Sequence, residues 1–143
     1  MGTLKRWGAL LLSLVLVSVS AAQSTYQPKF PRDPARSDSE AMALGYMRTV
    51  MAAEREYKKK HAYYAASLPA LVGSGSFTRR MINPQRGEYT VSFQGSKTAY
   101  SLAFTPARID ADHRAFYVDE RNTIRVEEDK PATKDSPPLK SQR

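Results

Sequence analysis

Apolar residues recur at intervals of three and four positions between residues 40 and 61, and no proline interrupts this segment. That spacing places them on one face of an α-helix, which has 3.6 residues per turn. The apolar positions are Leu44, Met47, Val50, Met51 and Tyr57. The sequence Ser37-Asp38-Ser39-Glu40 matches a capping box and predicts where the helix starts, and the basic run that ends at His61 predicts where it ends. We therefore expect one long amphipathic helix.

The polar face of this helix carries acidic and basic residues four positions apart. Glu54 precedes Lys58, and Glu56 precedes Lys60. An acid placed four residues before a base stabilises an exposed helix surface. We expect both acids to lie on the solvent side.

The hydrophobic period changes to two after Gly87. The apolar positions are Tyr89, Val91 and Phe93 in one run and Tyr100, Leu102 and Phe104 in the next. Such alternation predicts a hairpin with one buried face. Residues 116–118 and 123–126 are expected to form a second strand pair, with Asn122 as the left-handed turn residue. Residues 68–72 are expected to form a short helical turn and residues 77–87 a connecting loop. The predicted fold is α+β, with one long N-terminal amphipathic helix packed on a four-stranded antiparallel sheet.

The first 22 residues have the pattern of a cleavable signal peptide. Lys5 and Arg6 precede an apolar run at residues 9–19, and small residues follow at positions 20–22. We expect cleavage after Ala22, which leaves Gln23 as the mature N-terminus and no stable membrane span. The alternative is an uncleaved anchor, although the apolar run is shorter than the roughly 20 residues of a usual span. The protein is therefore expected to be exported, to the periplasm or the extracellular space.

Proline and charge patterns divide the mature chain into three parts. Residues 23–36 are proline-rich and predict an extended lead-in, and residues 37–128 contain the predicted helix and strands. Residues 129–143 are charged and proline-rich, with Leu139 as their one large aliphatic residue, which predicts a disordered tail.

The chain is basic and has no cysteine, with 22 lysines and arginines against 14 acids. Loss of Lys5 and Arg6 with the signal peptide changes the net charge from +8 to about +6, which favours anionic partners. Without cysteine there are no disulfides or thiolate metal sites.

Two groups of basic residues stand near aromatic residues and suggest a polyanion-binding surface. They are Lys58, Lys59 and Lys60 at the helix end and Arg79, Arg80 and Arg86 in the following loop, and the neighbouring aromatics Tyr63, Tyr64 and Phe77 are expected to be exposed. Cations can neutralise phosphates while exposed rings stack on bases. The alternative is a solvated helix terminus whose lysines interact with the helix dipole, with both tyrosines in the core.

No motif assigns an enzymatic or metal-dependent activity. His61 and His113 are not spaced as a helical ligand pair, and no Gly-x-Ser-x-Gly nucleophile elbow occurs. The acids Asp110, Asp112, Asp119 and Glu120 fit exposed turns, with calcium ligation as the alternative. We therefore assign no catalytic residue, cofactor or metal, and a small hydrolase remains the enzymatic alternative.

Three segments together resemble the headpiece of bacterial type IV pilin-like proteins and type II secretion pseudopilins. They are residues 40–57 with their Ala-Glu-x-x-Tyr end, residues 64–71, and the final hairpin at residues 114–125. The resemblance implies a non-enzymatic module that contacts pilus, secretion-system or other envelope proteins. Unlike polymerising members, this chain has prolines between its apolar run and its helix, and that run carries no Glu. The resemblance therefore covers the headpiece alone. The alternative function is a periplasmic domain that binds nucleic acid or an anionic envelope polymer.

Overall fold

The computed structural model describes Gly2 and residues 25–141, and its longest element is helix α1, Asp38–His61. The Ser37 side chain accepts a hydrogen bond from the Glu40 N–H at 3.1 Å, and Ala62 ends the helix in the left-handed conformation. Both predicted ends are confirmed. The second half of the capping box differs, because the Glu40 carboxylate accepts from the N–H of Arg36 and not from that of Ser37.

The sheet contains five antiparallel strands in sequence order. They are β1 Gln85–Arg86, β2 Tyr89–Gly95, β3 Tyr100–Pro106, β4 Ala115–Asp119 and β5 Arg125–Glu127. The predicted α+β class is confirmed, but the predicted number of four strands is wrong. The additional strand, β1, lies in the segment that we expected to be a loop. Gly87 has a φ of 58°, which permits the two-residue turn into β2, and the Pro84 carbonyl accepts from the Val91 N–H at 2.7 Å.

The core lies between the apolar face of α1 and one face of the sheet. Its largest fully buried side chains include Leu44, Met47 and Val50 from the helix and Tyr89, Leu102, Phe104 and Phe116 from the strands. Phe77 and Leu71 from the connecting segment close one end of it, together with Ala65. Each large apolar side chain that is fully buried contributes about 1.5–3 kcal/mol.

Glu54 does not lie on the solvent side as we expected, but is fully buried. It stands four residues after Val50 and seven after Met47, so the helical period itself directs it toward the core. There its carboxylate accepts the Ala65 N–H at 3.0 Å. The predicted pairing of Glu54 with Lys58 is wrong, and the described residues show no ion pair between Glu56 and Lys60 either.

The lead-in is folded back onto the domain. Asp33 is buried and accepts hydrogen bonds from the Tyr26 hydroxyl at 2.5 Å and from the Lys29 and Ala35 N–H groups. The predicted extended and loosely held segment is therefore wrong for the part from residue 25 onward. The predicted signal peptide lies outside the described residues, and within those residues no helix is both long enough and apolar enough to cross a membrane.

The C-terminal tail, which we expected to be disordered, packs beside β5. The Val126 N–H donates to the Pro137 carbonyl at 2.9 Å, and the Leu139 N–H donates to the Ile124 carbonyl at 2.8 Å. Ala132 and Ser136 are buried. The prediction is wrong because β5 is an edge strand, whose free backbone groups the tail satisfies despite its polar composition.

A buried ion pair joins the lead-in, the helix and the sheet. The Arg114 guanidinium donates to both Glu40 carboxylate oxygens, at 2.9 and 2.7 Å, and to the Pro34 carbonyl at 2.8 Å. The Arg114 N–H also donates to Glu40, at 2.9 Å. The first turn of α1 is thereby fixed beside the start of β4.

Replacing Met47 by Ala is expected to lower the free energy of unfolding by about 2–5 kcal/mol, because it opens a cavity under the middle of α1. Arg48→Ala, at the exposed neighbouring position, is expected to cost within about 0.5 kcal/mol. Equilibrium urea unfolding measures both values. Equal small losses would show that α1 does not pack on the sheet.

Truncation after residue 130 is expected to destabilise the domain by about 1–2 kcal/mol, because it exposes the β5 edge and removes the half-buried Leu139. A loss of about 1 kcal/mol lowers the melting temperature of a domain of roughly this size by about 4–8 °C, and a loss of about 2 kcal/mol lowers it by about twice as much. Leu139→Ser should reproduce part of the loss, while Lys140→Ser at an exposed neighbour should not. An unchanged melting temperature after truncation would contradict the packing of the tail.

Candidate functional site

A cleft of about 470 Å³ lies between the C-terminal end of α1 and the β4–β5 turn. We call it the helix-end cleft. Its walls combine three cations, two tyrosines, one methionine and one asparagine, namely Arg55, Lys58, Lys59, Tyr64, Tyr100, Met51 and Asn122. No acidic side chain lines it. A cavity with this composition favours an anion that also has an apolar part.

Helix geometry places four of these side chains on one flank of α1. Arg55 follows Met51 by four residues, and Lys58 and Lys59 follow it by seven and eight, which are spacings that share a helix face. Ala62 then turns the chain, with a φ of 67°, and brings Tyr64 back beside the same flank. The Tyr64 N–H donates to the Lys97 carbonyl at 3.1 Å, which holds this turn against the β2–β3 loop.

The two tyrosines form the aromatic wall. Their rings are 5.3 Å apart in a T-shaped arrangement, and the Lys58 ammonium lies 4.2 Å from the centre of the Tyr64 ring. The Tyr100 hydroxyl donates to the Asn122 side chain at 3.4 Å. Burial raises the pKa of Tyr100, so its hydroxyl remains a donor at neutral pH. Asn122 has a φ of 59°, which confirms the predicted left-handed turn residue.

The cations of the cleft have no acidic partner within the described residues. The ion pairs found there do not include Arg55, Lys58 or Lys59. The acid four residues before Lys58 is Glu54, which is turned into the core. The helix dipole offsets part of the positive charge, with an effect of about 0.3–1 kcal/mol for each charge near the terminus. The remaining positive potential is available to an external anion.

The structure does not bring the six predicted polyanion-binding residues together. Lys58 and Lys59 share the cleft, whereas Lys60 borders a separate cavity with Glu56 and the glycine loop at residues 73–75. The six residues therefore do not form one continuous surface, and polyanion binding by either group stays a prediction. Helical geometry explains the separation, because successive residues point about 100° apart around the axis.

The arginine group lies on the other flank of α1. The Arg86 guanidinium is 4.5 Å from the centre of the Tyr46 ring and donates to the Arg80 carbonyl at 3.4 Å. Tyr46 precedes Lys58 by about 18 Å along the helix axis, at 1.5 Å per residue. Arg79 and Arg80 are exposed in a short 3₁₀ helix, Arg79–Ile82. This second group cannot share one small ligand with the cleft.

The aromatic residues near the basic groups differ in exposure. Tyr63 is 39% exposed, Tyr64 is half-buried and Phe77 is buried in the core, so the expected exposure of Phe77 is wrong. Sequence reasoning missed Arg55 and Tyr100 as cleft residues. The helical count from Lys59 back to Arg55 could have identified the arginine, but no sequence signal places Tyr100 beside it.

His113 lies between two carboxylates near the start of α1. Its Nδ1 is 2.8 Å from Asp110 and its Nε2 is 2.6 Å from Glu88, which also accepts from the Ser39 hydroxyl at 2.9 Å. Burial lowers the pKa of His113, but hydrogen bonds and charges from both carboxylates outweigh burial and raise it. The Ser39 hydroxyl donates to Glu88 and not to His113, so this serine is not paired with a histidine that could act as its base. Within the described residues, no group of three or more histidines and acids could hold a metal ion.

Glu54 is a buried acid with an unsatisfied atom. One carboxylate oxygen accepts the Ala65 N–H, and the other has no partner among the described residues. Burial raises the pKa of Glu54 from 4.5 to about 7, and the hydrogen bond from Ala65 only partly opposes that rise. The folded state therefore binds a proton that the unfolded state releases.

The Glu54→Gln substitution is expected to increase the free energy of unfolding relative to the unchanged protein by an amount that grows as the pH rises. Because the folded pKa of Glu54 is raised, its protonation stabilises the fold at low pH and that stabilisation is lost between about pH 4.5 and 7. The free energy of unfolding of the Glu54→Gln variant, relative to that of the unchanged protein, should increase by about 2–3 kcal/mol from pH 5 to pH 8. Urea unfolding of both proteins at the two pH values gives this difference in the free energy of unfolding. The titration of His113 affects both proteins equally and therefore cancels in the difference. A constant difference would contradict the burial of an ionisable Glu54.

Comparison with known proteins identifies no relative of this chain. No protein-family model, no curated protein and no solved structure matches the chain. The function must therefore be inferred from the residues of the chain and their geometry.

Proposed function

We propose that this chain is an exported, non-enzymatic, pilin-like module that acts through protein contacts at the cell envelope, in association with a type IV pilus or a type II secretion system. Its order of elements supports the proposal, with a long helix first, a loop with a short 3₁₀ turn next and an antiparallel sheet in sequence order last. The segments that resemble pilin-like proteins fall on α1, on this loop and on the β4–β5 hairpin.

The observation that carries the proposal is the capped start of α1. Ser37 caps the helix, and the buried pair of Glu40 with Arg114 fixes its first turn against the sheet. The residues from 25 to 37 are not helical. The headpiece is therefore a self-contained body whose helix does not run on from the apolar segment near the N-terminus. Such a body suits contact with an assembly better than polymerisation through a continuous apolar helix.

N-terminal sequencing and site-specific photocrosslinking test this proposal in cells. We expect the protein in the envelope or secreted fraction to begin at Gln23.

A photocrosslinker at Met42, which is 61% exposed on α1, should link to a pilus or secretion protein. The same probe at Thr90, an exposed position on β2, is the control for contacts that are not specific to the helix. An intact Met1 in the membrane fraction would show that the segment is an anchor and is not cleaved, whereas equal crosslinking from both positions would contradict the proposal.

The second candidate is a periplasmic polyanion-binding domain, which the helix-end cleft specifically favours. Its three cations have no acidic partner among the described residues, and its aromatic wall is adjacent to them. Binding of single-stranded nucleic acid should weaken steeply with salt, because each neutralised phosphate releases counterions. A gel shift between about 50 and 200 mM salt measures the slope. Affinity that does not change with salt, or no binding at the lower salt concentration, would exclude this candidate.

A further inference from the structure

We propose that the helix-end cleft is a discrete binding site for a phosphomonoester. This inference rests on the polyanion-binding candidate and specifies the chemical group that the cleft binds. The observation behind it is the juxtaposition of Arg55, Lys58 and Lys59 around one cavity whose lining includes no acid. The cleft is a local pocket and not part of a continuous basic strip, because the other basic group lies on the opposite flank of α1.

The size of the cleft limits its occupant. Its volume of about 470 Å³ falls within the roughly 300–1,000 Å³ of small-molecule sites. A sugar phosphate or a lipid headgroup fits such a volume, whereas a folded partner does not. The ligand is therefore a small group, either free or at the end of a larger molecule.

The charges select phosphate over a single carboxylate. A phosphomonoester carries a charge of about −1.5 to −2 at neutral pH and three acceptor oxygens. Arg55 can offer two parallel N–H donors, and Lys59 adds a point charge from the next turn of the same flank. A lone carboxylate has one negative charge and two oxygens, so it would leave part of this donor set unsatisfied.

The uncharged walls suit the remainder of such a ligand. Met51 and the Tyr64 ring provide apolar surface beside the cations. The Lys58 ammonium already rests against the Tyr64 ring, so it can move toward an anion without breaking an ion pair. The Asn122 side-chain oxygen accepts a hydrogen bond from the Tyr100 hydroxyl, and its NH₂ group donates to the Glu120 carbonyl at 3.2 Å, which leaves one further N–H for the ligand.

Titration of the full-length protein with inorganic phosphate at low salt tests the site, with amide chemical shifts as the signal. We expect saturable shifts at Lys59 and Asn122. Arg55→Gln combined with Lys59→Gln should weaken phosphate binding at least about tenfold, since two charge-assisted contacts are lost. Lys60→Gln combined with Arg79→Gln removes the same net charge outside the cleft and should leave the affinity unchanged. All four positions are exposed, and urea midpoints verify that both variants are folded.

Two further arms distinguish the source of the phosphoryl group. A soluble sugar phosphate and vesicles that contain phosphatidic acid both present a phosphomonoester. If either one binds more tightly than inorganic phosphate, the result supports the site and identifies the source of the phosphoryl group. Acetate that competes as well as phosphate would overturn the proposal, as would equal losses in both double variants. Salt-dependent binding of nucleic acid without any saturable binding of phosphate would also overturn it, while leaving the polyanion-binding candidate intact.

Discussion

The buried pair of Glu40 with Arg114 is the contact on which the rest of the architecture depends. One carboxylate receives the guanidinium of Arg114, the N–H of the same residue and the N–H of Arg36. Removing one member of such a pair leaves an uncompensated buried charge, at a cost of about 3–5 kcal/mol. The pair therefore defines where α1 begins, where β4 enters the sheet and how the lead-in, through Pro34, folds against both.

The inward orientation of Glu54 links the core to the surface. Its carboxylate satisfies the Ala65 N–H, which lies in the loop that returns the chain beneath the end of the helix. The same orientation deprives Lys58 of the acid that an exposed helix would have placed four residues before it. The positive potential of the helix-end cleft is thus a consequence of how the core is closed, and the two proposed functions share one scaffold.

The edges of the sheet show how polar segments become ordered. Gly95 approaches the 65–66 backbone so closely that a Cβ would lie 2.2 Å from the Ala65 carbonyl oxygen, so the loop covers this end of β2. At the other edge, the tail hydrogen-bonds to β5 through Pro137 and Leu139. Pro137 and Pro138 have no N–H to offer a further strand, which discourages pairing with another chain.

The sequence by itself determined the helix, its two ends, the left-handed turn at Asn122 and the α+β class, because these depend on local periodicity and on backbone preferences of single residues. It also determined that Lys58 and Lys59 are basic neighbours at a helix end. Only the tertiary structure decided that Arg55 and Tyr100 join them in one cleft, that Arg86 lies apart from them and that the tail is ordered. These features depend on contacts between residues far apart in the chain. A buried backbone group or a buried acid needs a hydrogen-bond partner, and the packing of the core determines which residue is close enough to provide it.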